Sequence, residues 1–170
     1  LLDLWEKSLA PPKGYISQIL RSLAPTLGAA RVSLFAWNEG EPFARLAGSS
    51  LGRQAIGKQI EIDRYPELKA AAEQSGPVLV EEIHRDPLMK NASRYLEGAK
   101  VRSVICQRVA GDGEPLYVHA MSEKLPFGLP DLALIRAATR LIRAAATPQK
   151  QAVSAVVAPA LEAPPPPPPA

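Results

Sequence analysis

The segment from Val101 to Ile142 constrains the fold most, because it places two strands and a long helix in direct succession. Val101–Val109 and Pro115–Met121 are rich in β-branched and apolar residues, and the glycines of the Ala110–Glu114 turn tolerate positive φ. These features predict an antiparallel hairpin. A helix opened by Asp131 follows, with an apolar stripe at helical spacing made of Leu132, Ile135, Ala138, Leu141, Ile142 and Ala145.

Before Val101, the residue pattern predicts one more long helix, a short helix, further strands and a loop segment. The long helix begins at Lys13, with Gly28 as its C-terminal cap, although Pro25 predicts an irregular last turn. A short helix begins at Pro66, since proline suits the first helical turn. Asp86–Gly98 is typical of a loop with one or two helical turns. Strands are predicted at Arg31–Asn38, Phe43–Ser50 and Val78–Ile83, and Ala55–Asp63 is predicted to be a third strand or an extended crossing.

Taken in order, these stretches resemble a GAF domain over roughly residues 13–146. VRSVICQRVA, GDG, EPLYVHAMSE and LPFGLPDLALIRAATRLI are similar to its second half, and RVSLFAW, the helix opener Tyr65–Leu68 and SGPVLVEEIHRDPL to its first. The resemblance implies a single PAS-related α+β domain, with an antiparallel sheet of five or six strands. It also implies terminal helices packed on one face and a ligand pocket on the other. GAF domains are mostly ligand-sensing or dimerising modules rather than catalysts.

The composition changes at both ends of the predicted domain. Residues 1–12 are interpreted as a connector, because Pro11 and Pro12 stop a short helical pattern. Residues 13–147 form the GAF-like domain. Residues 148–170 are predicted to be a disordered Ala/Pro-rich linker or tail, whose six prolines at Pro164–Pro169 favour an extended spacer over a ligand for an aromatic groove. We expect the chain to be part of a longer protein.

Charge and hydropathy exclude two classes of partner. The net charge of +3 comes from 20 basic and 17 acidic residues, which gives no strong field for nucleic acid. No run approaches the ~18–20 apolar residues of a membrane span. A single cysteine, Cys106, inside an apolar run indicates a reducing, cytoplasmic setting. We therefore expect a cytoplasmic domain without nucleic-acid or membrane partners.

The residues that could carry chemistry are few. Cys106 would need a base within reach to act as a nucleophile. The GAF-related free methionine sulfoxide reductases rely on several cysteines, whereas this chain has one, so core packing is favoured. Two histidines and one cysteine do not form a metal-ligand spacing. The sequence predicts no catalytic residue and no metal site.

The sequence gives little support for the known ligands of GAF domains. The phosphodiesterase signature needs Asn-Lys, but neither Asn38 nor Asn91 is followed by lysine. Bilin-binding GAF domains hold the chromophore through a cysteine of the segment that covers the pocket, and Asp86–Gly98 contains none. Haem would need an axial ligand such as His84 or His119, although a lone histidine is more often an ordinary hydrogen-bonded side chain. The cofactor therefore stays unknown.

Two positions depart from the usual GAF pattern and bear on the pocket. Tyr117-Val118-His119 and Gln107-Arg108 add bulk and polarity to the central strands. Either the pocket is partly filled, or Gln107 and His119 are polar anchors inside it. The candidate ligand contacts at the sheet face and the covering segment are Tyr65, His84, Tyr95, Gln107 and His119.

The leading hypothesis is a non-catalytic sensory or regulatory GAF domain of a larger signalling protein. It would bind a small molecule, form a homodimer, or both, and would transmit a signal through its terminal helices to other domains of the same chain. The first alternative is a ligand-free protein-interaction or dimerisation module whose pocket Tyr117 helps to fill. The second is a small redox enzyme centred on Cys106.

Overall fold

A six-stranded antiparallel sheet forms the centre of the molecule. The computed structural model describes residues 14–96, 98 and 100–146, so the predicted connector over 1–12 and tail over 148–170 lie outside the described residues. The strand order is β3-β2-β1-β6-β5-β4, which makes the first and last strands neighbours at the centre of the sheet. The strands are β1 (Arg31–Ala36), β2 (Phe43–Ser49), β3 (Gln59–Glu61), β4 (Val78–Val80), β5 (Ser103–Val109) and β6 (Leu116–Ser122).

Four α-helices and two single 3-10 turns complete the described chain. The helices are α1 (Tyr15–Leu27), α2 (Pro66–Glu73), α3 (Ser93–Leu96) and α4 (Leu129–Ala146), and the 3-10 turns are Ile62–Arg64 and Pro87–Met89. Gly28 ends α1 in the left-handed region at φ 61°, which glycine adopts without strain. The prediction of an irregular last turn was wrong, because α1 stays α-helical through Pro25 to Leu27. A proline this near the end removes one hydrogen bond from a turn that packing already holds.

The two long helices pack on one face of the sheet, as predicted. Their apolar stripes meet the alternate residues of the central strands, and the shared core contains Leu20, Leu23, Val32, Leu34, Ile105, Val118, Ile135 and Ile142. Helix α1 comes very close to β2 at Gly48, where a Cβ atom would lie 2.9 Å from Leu20 Cδ1. Glycine at this position therefore sets the distance between the helix and the sheet.

The opposite face carries a second core beneath α2 and the segment 86–98. This core contains Phe35, Trp37, Leu68, Val80, Ile83, Met89, Val104, Cys106 and Tyr117. Tyr117 is fully buried against Trp37, with their ring centroids 5.9 Å apart. The α+β prediction, with helices on one face and a covered second face, is confirmed.

The start of α4 is attached to the sheet edge through one buried hydroxyl. Ser103 Oγ donates to the Val80 carbonyl at 2.8 Å and accepts from the Phe127 amide at 3.0 Å. Asp131 Oδ2 accepts from the Gly128 amide at 2.8 Å and fixes the first turn. The Ser103 hydroxyl therefore connects β4, β5 and the residues just before α4. None of the helices that the structure describes has the length and apolarity of a membrane span.

Candidate functional site

A buried acid-base pair lies at the middle of the covered sheet face. His119 on β6 and Glu67 in the first turn of α2 are 1% and 2% exposed, and His119 Nε2 lies 2.7 Å from Glu67 Oε1. Because a carboxylate only accepts, the imidazole Nε2–H donates this hydrogen bond. The first-turn position also favours the negative charge of Glu67, since amide groups at a helix N-terminus point towards it.

Several polar atoms around this pair have no hydrogen-bond partner among the described residues. They are His119 Nδ1, Glu67 Oε2, Ser33 Oγ and Arg31 Nε, and all four are buried from solvent. Ser33 lies directly opposite His119 in the β1–β6 register, and Arg31 lies opposite Met121. Buried polar groups are normally satisfied, so this cluster marks a place where hydrogen-bonding capacity is unused.

Two cavities adjoin this cluster. The His119 cavity, about 540 Å³, lies between the sheet and the segment 86–98 and is lined by Arg31, Tyr65, Glu67, Tyr95 and His119, among others. The Ser33 cavity, about 360 Å³, lies towards β2 and is lined by Arg31, Ser33, Phe35 and Tyr65. Arg31 and Tyr65 border both, so these two side chains stand between the cavities.

Tyr65 is held in place by aromatic contacts. Its ring centroid lies 5.5 Å from that of Phe35 and 5.7 Å from that of His119, at tilted and edge-on angles. Such offset and edge-on contacts between rings are favourable. Tyr65 therefore covers the buried pair from the side of α2.

Tyr95 closes the His119 cavity from the side of α3. The guanidinium groups of Arg64 and Arg94 lie over its ring at 4.9 and 4.6 Å from the centroid. Arg94 also donates to the Tyr95 hydroxyl at 2.7 Å. The Arg64 contact joins the covering segment to the turn before α2, whereas the Arg94 contact lies within α3.

The structure brings three of the five predicted site residues together. Tyr65, Tyr95 and His119 line the His119 cavity. His84 is exposed in the turn after β4 and lines neither cavity. Gln107 pairs with Val118, which belongs to the core beneath α1 and α4, so Gln107 lies on the other face of the sheet from His119. Successive strand residues alternate between faces, and this parity separates Gln107 from the pocket.

Sequence reasoning missed Glu67, Arg31 and Ser33. Glu67 opens a short helix, where an acidic residue is usually exposed, but it stands four residues before the buried Ala71 and so shares its face. Arg31 and Ser33 alternate with the inward residues Val32 and Leu34 of the other core. Because side chains alternate along β1, Arg31 and Ser33 lie on the same face as Phe35. This alternation is the sequence signal that could have identified them.

Tyr117 occupies the part of the covered sheet face that lies next to Trp37. Its side chain is fully buried beside Trp37, and burial raises the pKa of its hydroxyl, an effect that the nearby Arg108 partly offsets. The hydroxyl oxygen has no hydrogen-bond partner among the described residues. Tyr117 therefore fills its own part of the face, whereas cavities lie at the Arg31 end and beyond Trp37, where one of about 450 Å³ is lined by Trp37 and Ile62 among others.

Cys106 is poorly suited to nucleophilic chemistry. It lies opposite His119 in the β5–β6 register but is fully buried. Burial raises the pKa of its thiol well above the usual value, and the negative charge of Glu67 raises it further. The thiolate is the nucleophile, so a raised pKa suppresses the reactive form. Among the described residues, no group of three or more His, Cys, Asp and Glu side chains could hold a metal ion.

We expect the Cys106 thiol to be protected in the native protein. At about pH 8, labelling by a disulfide reagent such as dithiobis(nitrobenzoate) should be at least about a hundredfold slower than for a free thiol, because reaction requires local opening. The released thionitrobenzoate absorbance measures the rate, and the same protein in denaturant should react fully. Rapid labelling of the native protein would revive the redox hypothesis.

Comparisons with known proteins give the fold. No protein-family model matches this sequence, and no curated protein matches it. The free methionine-R-sulfoxide reductase from Neisseria meningitidis, in complex with its substrate, is 20% identical, with 78% of each chain covered and a TM-score of 0.59. The phycocyanobilin-bound GAF domain from a cyanobacterial phytochrome is 12% identical, with 77% of this chain and 84% of that chain covered and a TM-score of 0.59.

A third solved structure agrees with these two. The GAF domain/HD domain protein from Geobacter sulfurreducens is 14% identical, with 76% of this chain and 87% of that chain covered and a TM-score of 0.57. Several of the similar structures are GAF domains, so the chain has the GAF-domain fold and the resemblance read from the sequence is confirmed. At these identities the comparisons concern the fold.

Proposed function

We propose that this chain contains a non-catalytic sensory or regulatory GAF domain of a larger signalling protein, which binds a small molecule in the His119 cavity. The observation that carries the proposal is a cavity of about 540 Å³ with the His119–Glu67 pair in its wall and unused hydrogen-bonding atoms beside it. Ligand pockets commonly enclose about 300–1,000 Å³ and contain a few convergent polar groups. The similar phytochrome GAF domain binds phycocyanobilin, which supports a ligand in this fold.

The signal from a bound ligand would pass along β6 into α4 and from there to the rest of the protein. His119, Met121 and Glu123 line the cavity on one strand and the residue that follows its end, and α4 begins at Leu129 after the short connection. The Ser103 hydroxyl joins this connection to β4 and β5. A ligand that contacts one arrangement of this connection better than another shifts the population of α4 positions.

A second copy of the chain is the proposed partner of the long helices. Helices α1 and α4 form an apolar groove of about 530 Å³ on their outer side, lined by Ile19, Leu23, Leu134 and Leu141 among others. Leu141 is half exposed there. A homodimer that covers this groove would couple the α4 helices of two copies and give the signal a path between subunits.

The two alternatives have different support. Tyr117 packs the Trp37 end of the sheet face, which favours a ligand-free dimerisation module if the His119 cavity binds nothing. The redox alternative has lost support, because Cys106 is buried and the pKa of its thiol is raised. A free methionine-R-sulfoxide reductase is nevertheless among the similar structures, so the labelling of Cys106 tests that alternative directly.

A thermal-shift screen of the full 170-residue chain tests the proposal. Nucleotides, haem, amino acids and aromatic acids are screened, and a ligand at about 100 times its Kd adds about 2.7 kcal/mol, or several degrees in melting temperature. Met121→Trp should abolish the shift because the indole occupies the cavity, whereas Leu125→Trp places the same ring at an exposed position and should preserve it.

Three results would contradict parts of this proposal. An equal shift in the Met121→Trp variant would place the ligand elsewhere. No shift with any compound would favour the ligand-free module. A monomeric mass by light scattering of the same samples at tens of micromolar would remove the homodimer.

A further inference from the structure

Arg31 differs from the other arginines of the sheet. Arg45 pairs with Glu114 at 2.8 Å, Arg102 with Glu82 at 2.6 Å, and Arg108 with Glu39 at 3.3 Å. Arg31 makes no ion pair with any residue that the structure describes, and its Nε is buried without a hydrogen-bond partner among them. The Arg31 side chain as a whole is only partly buried, but a buried donor without an acceptor is costly, so the place of its Nε next to two cavities requires an explanation.

The other charged groups of the His119 cavity are already engaged or exposed to water. Arg64 pairs with Glu61 at 2.9 Å and lies over the Tyr95 ring. Glu67 is held by His119, and Lys100 and Glu123 are exposed. Arg31 is therefore the cation of this cavity that combines a buried hydrogen-bond donor with no engaged partner among the described residues.

Two further unused polar atoms lie beside Arg31. Ser33 follows two positions later on the same strand face, about 7 Å along β1, and His119 stands opposite Ser33 on β6. Ser33 Oγ can donate or accept, and His119 Nδ1 accepts when the ring is neutral. A polar group next to an anion in the His119 cavity would find a partner in His119, whereas Ser33 faces the Ser33 cavity.

The remaining wall of the His119 cavity is apolar. It is formed by the side chains of Met89, Leu96, Val101, Val104 and Met121. Methionine side chains adapt to the shape of what they contact. The cavity therefore offers one cationic end, a polar middle and an apolar end.

We infer that the His119 cavity takes a small carboxylic acid with an apolar body, and that Arg31 binds its carboxylate. A guanidinium group presents two parallel N–H donors to a carboxylate, and a polar substituent on the adjacent carbon reaches His119 in the same cavity. A carboxylate fits better than a phosphate, because one guanidinium balances one negative charge while the Glu67 carboxylate opposes a second. This inference rests on the proposed function, since it names the ligand class of the same cavity.

Calorimetric titration of the full chain with 3-phenyllactate and with the neutral 3-phenyllactamide tests the inference. The two probes share the hydroxyl and the phenyl ring and differ in the charge. The acid should bind at least about tenfold more tightly, as expected for a charge-assisted hydrogen bond. Phenyl phosphate should bind more weakly than the acid.

Three variants locate the effect. Arg31→Gln should weaken phenyllactate by about tenfold or more and leave phenyllactamide within about twofold, which also shows that the cavity is intact. Arg31→Lys keeps the charge and should recover part of the affinity. Arg45→Gln removes the same charge from an exposed position outside the cavity and should change neither probe.

Each contrary result overturns the inference in a distinguishable way. If the amide binds as tightly as the acid, the cavity binds small molecules and the proposed function stands, but the carboxylate assignment is wrong. If Arg31→Gln leaves the acid unaffected, or Arg45→Gln weakens it equally, Arg31 is not the binding residue. If neither probe binds, the ligand class is wrong, and the broader screen decides the proposed function separately.

Discussion

Replacing Glu67 by alanine is expected to lower the free energy of unfolding by about 3 kcal/mol and the melting temperature by about 10 °C. The change removes the acceptor of a 2.7 Å hydrogen bond and leaves His119 Nε2 without a partner at a site that is 1% exposed. Losing one member of a buried pair costs more than losing both, because the remaining polar group stays desolvated. Chemical denaturation measures the loss.

Two controls separate the buried pair from a general effect of the substitution. Glu73→Ala removes an exposed carboxylate from the same helix and should change stability by less than about 0.5 kcal/mol. The double variant Glu67→Leu/His119→Phe replaces both partners by apolar side chains and should recover most of the loss. If Glu67→Ala costs no more than Glu73→Ala, the buried pair does not form in solution.

Replacing Ser103 by alanine is expected to cost about 2 kcal/mol, because two buried backbone groups lose their partner. The Val80 carbonyl loses its donor and the Phe127 amide loses its acceptor. Hydrogen exchange of the Phe127 amide should accelerate strongly, since the residues before α4 are then released from the sheet. Urea denaturation and exchange followed by NMR measure the two effects.

Ser122 supplies the matched control for Ser103. It lies directly opposite Ser103 in the β5–β6 register and is equally buried, but its hydroxyl accepts only a 3.4 Å hydrogen bond from the Leu125 amide. Ser122→Ala should therefore cost less than about 1 kcal/mol and leave Phe127 protected. Equal effects of the two substitutions would show that the loss comes from burial of a hydroxyl rather than from the Ser103 hydrogen bonds.

The sequence allowed the elements and their faces to be predicted where periodicity was clear. The apolar stripe of α4 placed Ile135 in a core, and the structure agrees. His119, which departs from the usual GAF pattern, lines the cavity on the opposite face. Gln107 was grouped with His119 from its polarity, whereas its parity on β5 assigns it to the other face. The polarity of Gln107 shows only that it is unusual in a central strand. Its position in the alternation of β5 decides which face of the sheet it occupies.

The pairings between distant segments could not be predicted from local pattern. Glu67 meets His119 only because α2 lies across β6, and Arg31 reaches the cavity because β1 pairs with β6. Alternation along β1 gives the face on which Arg31 lies, but neither contact leaves a periodic signal of its own, since each depends on how elements far apart in the chain pack. The site therefore lies in the part of the fold that tertiary packing, rather than local sequence, creates.

The pairing of β1 with β6 at the centre of the sheet also has a kinetic consequence. β1 ends at Ala36 and β6 begins at Leu116, so joining them closes a loop that contains the other four strands. Loop closure costs entropy before the contacts repay it, and folds dominated by such distant pairings form slowly. During synthesis, β1 must wait with an unpaired edge until β6 has left the ribosome. The domain therefore completes its sheet only after the other four strands and β6 have all been made.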